Sequence, residues 1–244
     1  SDYTDALTNL GNCLRDIGQL EEAIQVYNKA LVIDDNVADA HYNKGNAYYL
    51  QSNYSDAISS YNLALECYPE YEIVYYKLGE LLIEQGNMDG AIRVFERLVN
   101  LRPDSFKVLN NIGNILQGKG KYREAIDSYR KALLINPNCA VSYNNIGNIL
   151  RHQRKLKEAL EIYRTALKKE PNNSDILYNT GNLLHEMNLF SDAIECYEKS
   201  LSVRPNDLHH FVMLGSCHQK IGNLTQAIEY YKKACSMEPK NAKH

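Results

Sequence analysis

Apolar side chains return along this chain at spacings of three and four residues, in blocks separated by short polar turns. That is the period of helices that bury one face. Residues 106–139 show the pattern clearly. Leu109, Ile112, Gly113 and Leu116 mark one stripe and predict a helix over Phe106–Gly118. Ala125, Ile126, Tyr129, Ala132 and Leu133 mark a second and predict a helix over Arg123–Leu134. Gly118-Lys119-Gly120-Lys121 lies between them and Asn136-Pro137-Asn138 follows, both in the composition that interrupts helices.

The same two-helix unit recurs. All six prolines (Pro69, Pro103, Pro137, Pro171, Pro205, Pro239) fall 34 residues apart, and so do Gly11, Gly45, Gly79, Gly113, Gly147, Gly181 and Gly215. Such register means an internal repeat. Seven units follow, at 4–37, 38–71, 72–105, 106–139, 140–173, 174–207 and 208–241, each with a helix A and a helix B. Glycine holds the eighth position. Alanine holds the twentieth (Ala23, Ala57, Ala91, Ala125, Ala159, Ala193, Ala227) and an aromatic the twenty-fourth (Tyr27, Tyr61, Phe95, Tyr129, Tyr163, Tyr197, Tyr231). Glycine inside a helix costs about 0.5–1 kcal/mol relative to alanine, so its return in every unit signals two helices in close approach.

Small residues at positions 8, 20 and 27, an aromatic at 24 and proline at 32 resemble the tetratricopeptide repeat, over residues 4–241. The tryptophan frequent at the family's position 4 is replaced here by Leu7, His41, Tyr75, Leu109, Tyr143, Leu177 and Phe211. The resemblance implies an all-α fold, a right-handed superhelical solenoid whose A helices line a concave groove, with each unit burying its face on its neighbours. Residues 242–244 are expected to start a truncated further repeat, which would make the chain a piece of a longer protein.

Composition narrows the function. The formal net charge is −3, with 27 Lys+Arg against 30 Asp+Glu, which disfavours a generic nucleic-acid binder because phosphate neutralisation needs a basic surface. No apolar run approaches a membrane span. The six cysteines lie at scattered repeat positions without a C-x-x-C pair; most are expected to be single buried or half-buried thiols, with the cytosol as the default compartment. Sequons at Asn53, Asn172 and Asn223 sit at repeat turns, where asparagine has backbone uses. Charge is uneven along the repeats. Lys119, Lys121, Arg123, Arg154, Lys155 and Lys157 cluster at the A–B turns of the fourth and fifth units, as a solvated edge or a dock for an acidic surface.

Positions 2, 5, 6, 9, 12 and 13 of helix A share the face turned from the repeat core. Asn9, Asn43, Asn111, Asn145 and Asn179 occupy position 6, while Asn12, Asn46, Asn114, Asn148 and Asn182 occupy position 9. Asparagine is a mediocre helix former, so this run opposes local propensity. A carboxamide both donates and accepts, which matches the alternating N–H and C=O groups of an extended peptide; the same amides can also bond one another along the surface. The position-6 series is similar to the asparagine ladder of the O-linked N-acetylglucosamine transferase superhelix, which implies a grip on substrate backbones. Lys77 and Met213 interrupt it. The family's carboxylate clamp for chaperone C-terminal tails is incomplete here in either register, whether read on Thr8, Asn12, Asn43, Ile73 and Lys77 or on Tyr42, Asn46, Lys77, Lys107 and Asn111. A chaperone tail is therefore disfavoured, although Lys77 and Lys107 could meet one acidic group. The third unit departs from its neighbours with Ile73, Tyr76, Lys77, Glu80, Ile83 and Glu84 on the groove face, and Tyr42 and Tyr49 stand beside it. Tyr42, Tyr49, Tyr76 and Glu80 are the candidates for side-chain specificity.

Catalytic motifs are weak. Gly113–Lys119 imitates a phosphate loop, but Gly120 stands where the magnesium-binding hydroxyl belongs, and the stretch lies on a helix and its turn. His185-Glu186 lacks a second histidine, and His209-His210 read as surface histidines. No metal and no cofactor is expected. The expected function is a non-catalytic scaffold or adaptor that binds an extended partner segment. Two alternatives stand beside it: the substrate-recruiting arm of an O-GlcNAc-type glycosyltransferase, and a structural subunit of a large assembly such as a ciliary transport or ubiquitin-ligase complex. A second copy of the chain is a further candidate occupant of the groove.

Overall fold

A computed structural model describes residues 2–205 and 207–237. Among them are fourteen α-helices and no strand: α1 (Asp2–Asp16), α2 (Leu20–Ile33), α3 (Ala38–Leu50), α4 (Tyr54–Cys67), α5 (Glu72–Glu84), α6 (Met88–Leu101), α7 (Phe106–Gly118), α8 (Tyr122–Ile135), α9 (Ala140–His152), α10 (Leu156–Lys169), α11 (Ser174–Glu186), α12 (Phe190–Val203), α13 (Leu208–Lys220) and α14 (Leu224–Met237). Helix α7 has the bounds that the apolar period predicts, and α8 is one residue longer at each end. The expected start of a further repeat, residues 242–244, lies outside the described residues.

Two compact units divide at Ile115 and Leu116. In the first, α1 packs on α2, α3 on α4 and α5 on α6, with α2 on α3, α4 on α5 and α1 on α3. The second repeats the scheme, pairing α9 with α10, α11 with α12 and α13 with α14, with α9 also touching α11. Odd-numbered helices therefore hold the A position and even-numbered ones the B position. Each unit is a stack of helix hairpins in which an element touches its close neighbours in sequence.

Inside a hairpin the contact is between glycine and ring. A Cβ built at Gly181 would lie 2.6 Å from Cε1 of Tyr197, and one at Gly45 would lie 2.7 Å from the Tyr61 ring; Gly11, Gly79, Gly147 and Gly215 stand in the same relation to Tyr27, Phe95, Tyr163 and Tyr231. The rings of Tyr27, Tyr61, Phe95, Tyr129, Tyr163 and Tyr197 are buried, as are the alanines at position 20. Burying such a ring stabilises by about 1.5–3 kcal/mol, more than the helix glycine costs, so the exchange favours the fold.

Each A–B turn uses one left-handed residue at position 15. Gly18, Gly86, Gly120 and Gly222 have φ between 73° and 84°, and Ser52, Arg154 and Asn188 hold φ of 59°, 63° and 60° without being glycine. The next N–H then bonds the carbonyl five residues back, from Gln19 to Leu14 at 2.8 Å in the first repeat through to Asn223 to His218 at 2.9 Å in the seventh, which is how a Schellman motif closes a helix. Asn53, Asn87 and Asn223 then cap the following B helix, each accepting from the N–H three residues on. Two of the three sequon asparagines are thus occupied with backbone capping.

Three of the residues standing in place of the family's tryptophan also have a bonding role. His41 Nε2 meets the Asp35 carbonyl at 2.9 Å, Tyr75 donates to the Pro69 carbonyl at 2.9 Å and Tyr143 to the Pro137 carbonyl at 3.2 Å. Each ties an A helix to the turn that precedes it. Replacing Gly147 with leucine should overpack the α9–α10 contact and lower stability by roughly 1–3 kcal/mol in urea unfolding; an unchanged midpoint would count against the glycine–ring account.

Candidate functional site

The asparagines at positions 6 and 9 differ in what holds them. Tyr27 donates its phenol to Asn12 Oδ1 at 2.8 Å, Tyr61 to Asn46 at 2.8 Å, Tyr163 to Asn148 at 2.7 Å and Tyr197 to Asn182 at 2.8 Å. The ring that packs on the glycine thereby carries its hydroxyl one helical step further, to the amide that follows. Where that partner changes, the bond changes too. Ser216 takes position 9 in the seventh repeat, and the Tyr231 phenol reaches Gln219 at 3.2 Å instead. In the third repeat the ring is Phe95, which has no hydroxyl to place, and position 9 is the exposed Glu80. The Oδ1 atoms of Asn12, Asn46, Asn148 and Asn182 therefore serve the hairpin.

Position 6 looks to the neighbouring repeat. Asn43 Oδ1 accepts from Arg15 Nη1 at 2.9 Å, and Asn179 Nδ2 donates to Asn144 Oδ1 at 2.8 Å. Asn145 hydrogen-bonds the Tyr129 phenol, which also donates to Gln117 at 3.0 Å. Asn43, Asn111, Asn145 and Asn179 are half-buried, while Asn9, Asn114 and Lys107 are exposed.

In the first unit several of these residues converge. Tyr42, Asn43, Asn46 and Tyr49 of α3, Lys77, Glu80, Leu81 and Glu84 of α5, and Arg15 of α1 line an open cavity of about 450 Å³, closed by Leu50 and the Tyr61 ring. Lys77 Nζ lies 3.3 Å from Glu80, and Tyr49 donates to both oxygens of Glu84 at 3.0 Å, which raises the Tyr49 pKa. Tyr42 lies 6.1 Å from Tyr61 and 5.4 Å from Tyr71 between ring centroids, and Tyr71 in turn bonds Asp39. Tyr76, grouped with Tyr42 and Tyr49 from the sequence, turns away: its half-buried ring lies 6.1 Å from Phe95 and outside the cavity lining. Arg15 and Leu50 were not among the sequence candidates. Arg15 occupies position 12 of its helix, on the groove face, and that position was the available signal.

The reading of His210 as a surface histidine is corrected. It is 2% exposed, with Nε2 2.7 Å from Ser200 Oγ and Nδ1 3.3 Å from Asp207. Serines at 174 and 200 leave the room an imidazole needs. The order Asp207, His210, Ser200 imitates a hydrolytic triad, but Ser200 is fully buried and gives its one proton to the Ser174 carbonyl at 2.8 Å. It can then only accept from His210, the reverse of what an activated nucleophile requires. Burial pushes the Cys196 and Cys217 thiols up to about 11, which makes those two poor nucleophiles, while Cys13 and Cys235 are exposed. Among the described residues no His, Cys, Asp or Glu cluster is suited to a metal ion, and no helix is long and apolar enough to cross a membrane. Of the turn cations, Lys121 lies 3.4 Å from Glu124 and Arg154 3.5 Å from Glu186.

Two outcomes test the phenol–amide bond. Asn148→Ala should cost about 1–2 kcal/mol in urea unfolding, because the Tyr163 hydroxyl loses its acceptor, and adding Tyr163→Phe should recover part of that loss. Alkali should also unfold the chain. Burial raises the Tyr27 phenol from 10.0 to about 12 and also raises Tyr61, Tyr129, Tyr163 and Tyr197. The unfolded chain therefore holds fewer protons than the folded one above pH 10, and stability should be complete below that value and fall as pH rises towards 12. Urea midpoints taken with tyrosine absorbance across that window would show it.

Sequence profiles described as tetratricopeptide repeat match residues 38–71, 74–105, 106–139, 138–206 and 211–241, and one described as TPR repeat matches 11–52. No curated protein is similar enough in sequence to count as a match. Among solved structures the chain is similar to MamA, at 26% identity and a TM-score of 0.61 over 68% of this chain and 98% of that one. It is also similar to YrrB, described as a TPR protein with an unusual peptide-binding site, at 26% identity and 0.55 over 70% and 88%. A tetratricopeptide repeat protein from Parabacteroides merdae shares the fold at 18% identity, with a TM-score of 0.64 over 99% and 95% of the two chains. Profiles that follow one another along nearly the whole sequence, on a fold built from glycine–ring hairpins, place this chain in the tetratricopeptide repeat family.

Proposed function

We propose that the chain is a non-catalytic scaffold that holds an extended segment of a partner protein against the asparagine-bearing faces of its A helices. The observation that carries this reading is the cavity of the first unit, which is bordered by three successive A helices and presents amides, tyrosines and charges together. A surface of that composition supplies both main-chain partners and side-chain anchors. In the second unit, Asn145 and Asn179 lie on the corresponding helix faces, and their half-buried carboxamides are held by neighbours and so ordered in advance of binding. The unusual peptide-binding site belongs to YrrB; the likeness of that protein to this chain supports the reading by analogy.

The test is a partner recovered by affinity purification and identified by mass spectrometry, then titrated against the parent and against Asn145→Ala/Asn179→Ala. Loss of amide contacts should weaken binding by about tenfold while the melting temperature stays close to that of the parent. Undiminished affinity in a folded double variant would place the interaction on another surface.

A further inference from the structure

The charges around the first unit's cavity are unequally matched. Arg15 meets Asp16 at 2.8 Å, and Lys77 meets Glu80 at 3.3 Å. Glu84 has no cation beside it among the described residues; its carboxylate accepts the Tyr49 phenol alone. The unmatched charge in the cavity is thus negative. It stands among rings, with Tyr49 5.9 Å from Tyr54 and Tyr42 6.1 Å from Tyr61 between centroids.

A carboxylate at the edge of a ring-lined cavity complements a long cationic side chain. Its methylenes can lie on the rings while its charged end reaches the acid, and the ring faces attract the cation in addition. The wider field has the same sign. Residues 4–105 carry sixteen acidic against seven basic side chains, a net charge of −9. Such an excess favours approach of a basic segment and repels an acidic one. Lys77 is the opposing feature, but its pair with Glu80 is an exposed one of little strength, so Glu80 is available to an incoming cation at small cost.

Resting on the reading of the A-helix face as a binding surface for an extended segment, we propose that the first unit selects a segment carrying lysine or arginine, with the charged end against Glu84 and Glu80 and the stem on Tyr42 and Tyr49. The probe is a phage-displayed library of random dodecapeptides, selected on the 244-residue chain. Peptides enriched in lysine or arginine are expected. Synthesised, they should bind Glu84→Gln about three- to tenfold more weakly than the parent and lose affinity as salt rises. Basic peptides that bind Glu84→Gln and Tyr42→Ala as tightly as the parent would overturn the assignment. Neutral or acidic peptides bound in this cavity, recognised by their loss with Asn43→Ala or Lys77→Ala, would also overturn it while leaving the peptide-binding reading intact. Recovery of no peptide above background would count against both.

Discussion

In six of the hairpins the aromatic ring of helix B is laid directly on the backbone of helix A, at a glycine. A single Cβ there would collide with the ring, so the spacing of the two helices is set by the absence of one carbon. Much else follows from that spacing. It buries the ring, brings the position-20 alanine against the neighbouring helix, and fixes where the phenol emerges on the groove side. Four tyrosines deliver that phenol to an asparagine fifteen residues earlier, at 2.7–2.8 Å. The groove's amide row is therefore anchored from behind by the same rings that fill the core, and core packing and groove chemistry cannot vary independently.

The third repeat shows the coupling from the other side. Phe95 keeps the ring and gives up the hydroxyl, and the position that would have accepted it is Glu80, free to turn outward towards Lys77. An acidic pair on the groove, Glu80 and Glu84, thus accompanies an apolar change in the hairpin. In the first unit this places charge between the tyrosines of α3 and the face of α5, where the other repeats with asparagine at both positions present neutral amides. Arg15 completes the wall by reaching from α1 to Asn43.

Much of this was legible from residue type and spacing. The helices followed from apolar period and turn residues, and the glycine–ring contact from the register of positions 8 and 24. The face that carries Tyr42, Tyr49, Lys77, Glu80 and Glu84 followed from three- and four-residue neighbours. What spacing could not reveal was direction. Asn12 and Asn148 share a helix face with Asn9 and Asn145, yet their oxygens are taken by phenols approaching from the partner helix. Tyr76 shares a face with Lys77 but leans on Phe95. His210 lay hidden because its burial depends on serines contributed by two other helices, ten and thirty-six positions away in the chain.

Donor and acceptor of each phenol–amide pair sit within one 34-residue period. A recombination event that removes or adds one whole period, wherever its ends fall, therefore returns a tyrosine opposite an asparagine in most registers of this chain. Repeats can be gained or lost without stranding a polar group in the core. The seventh repeat, with Ser216 at position 9, and the third are exceptions: a crossover between the two helices of the third would set Glu80 beneath a tyrosine or Phe95 above an asparagine. Its charged surface is inherited whole or not at all.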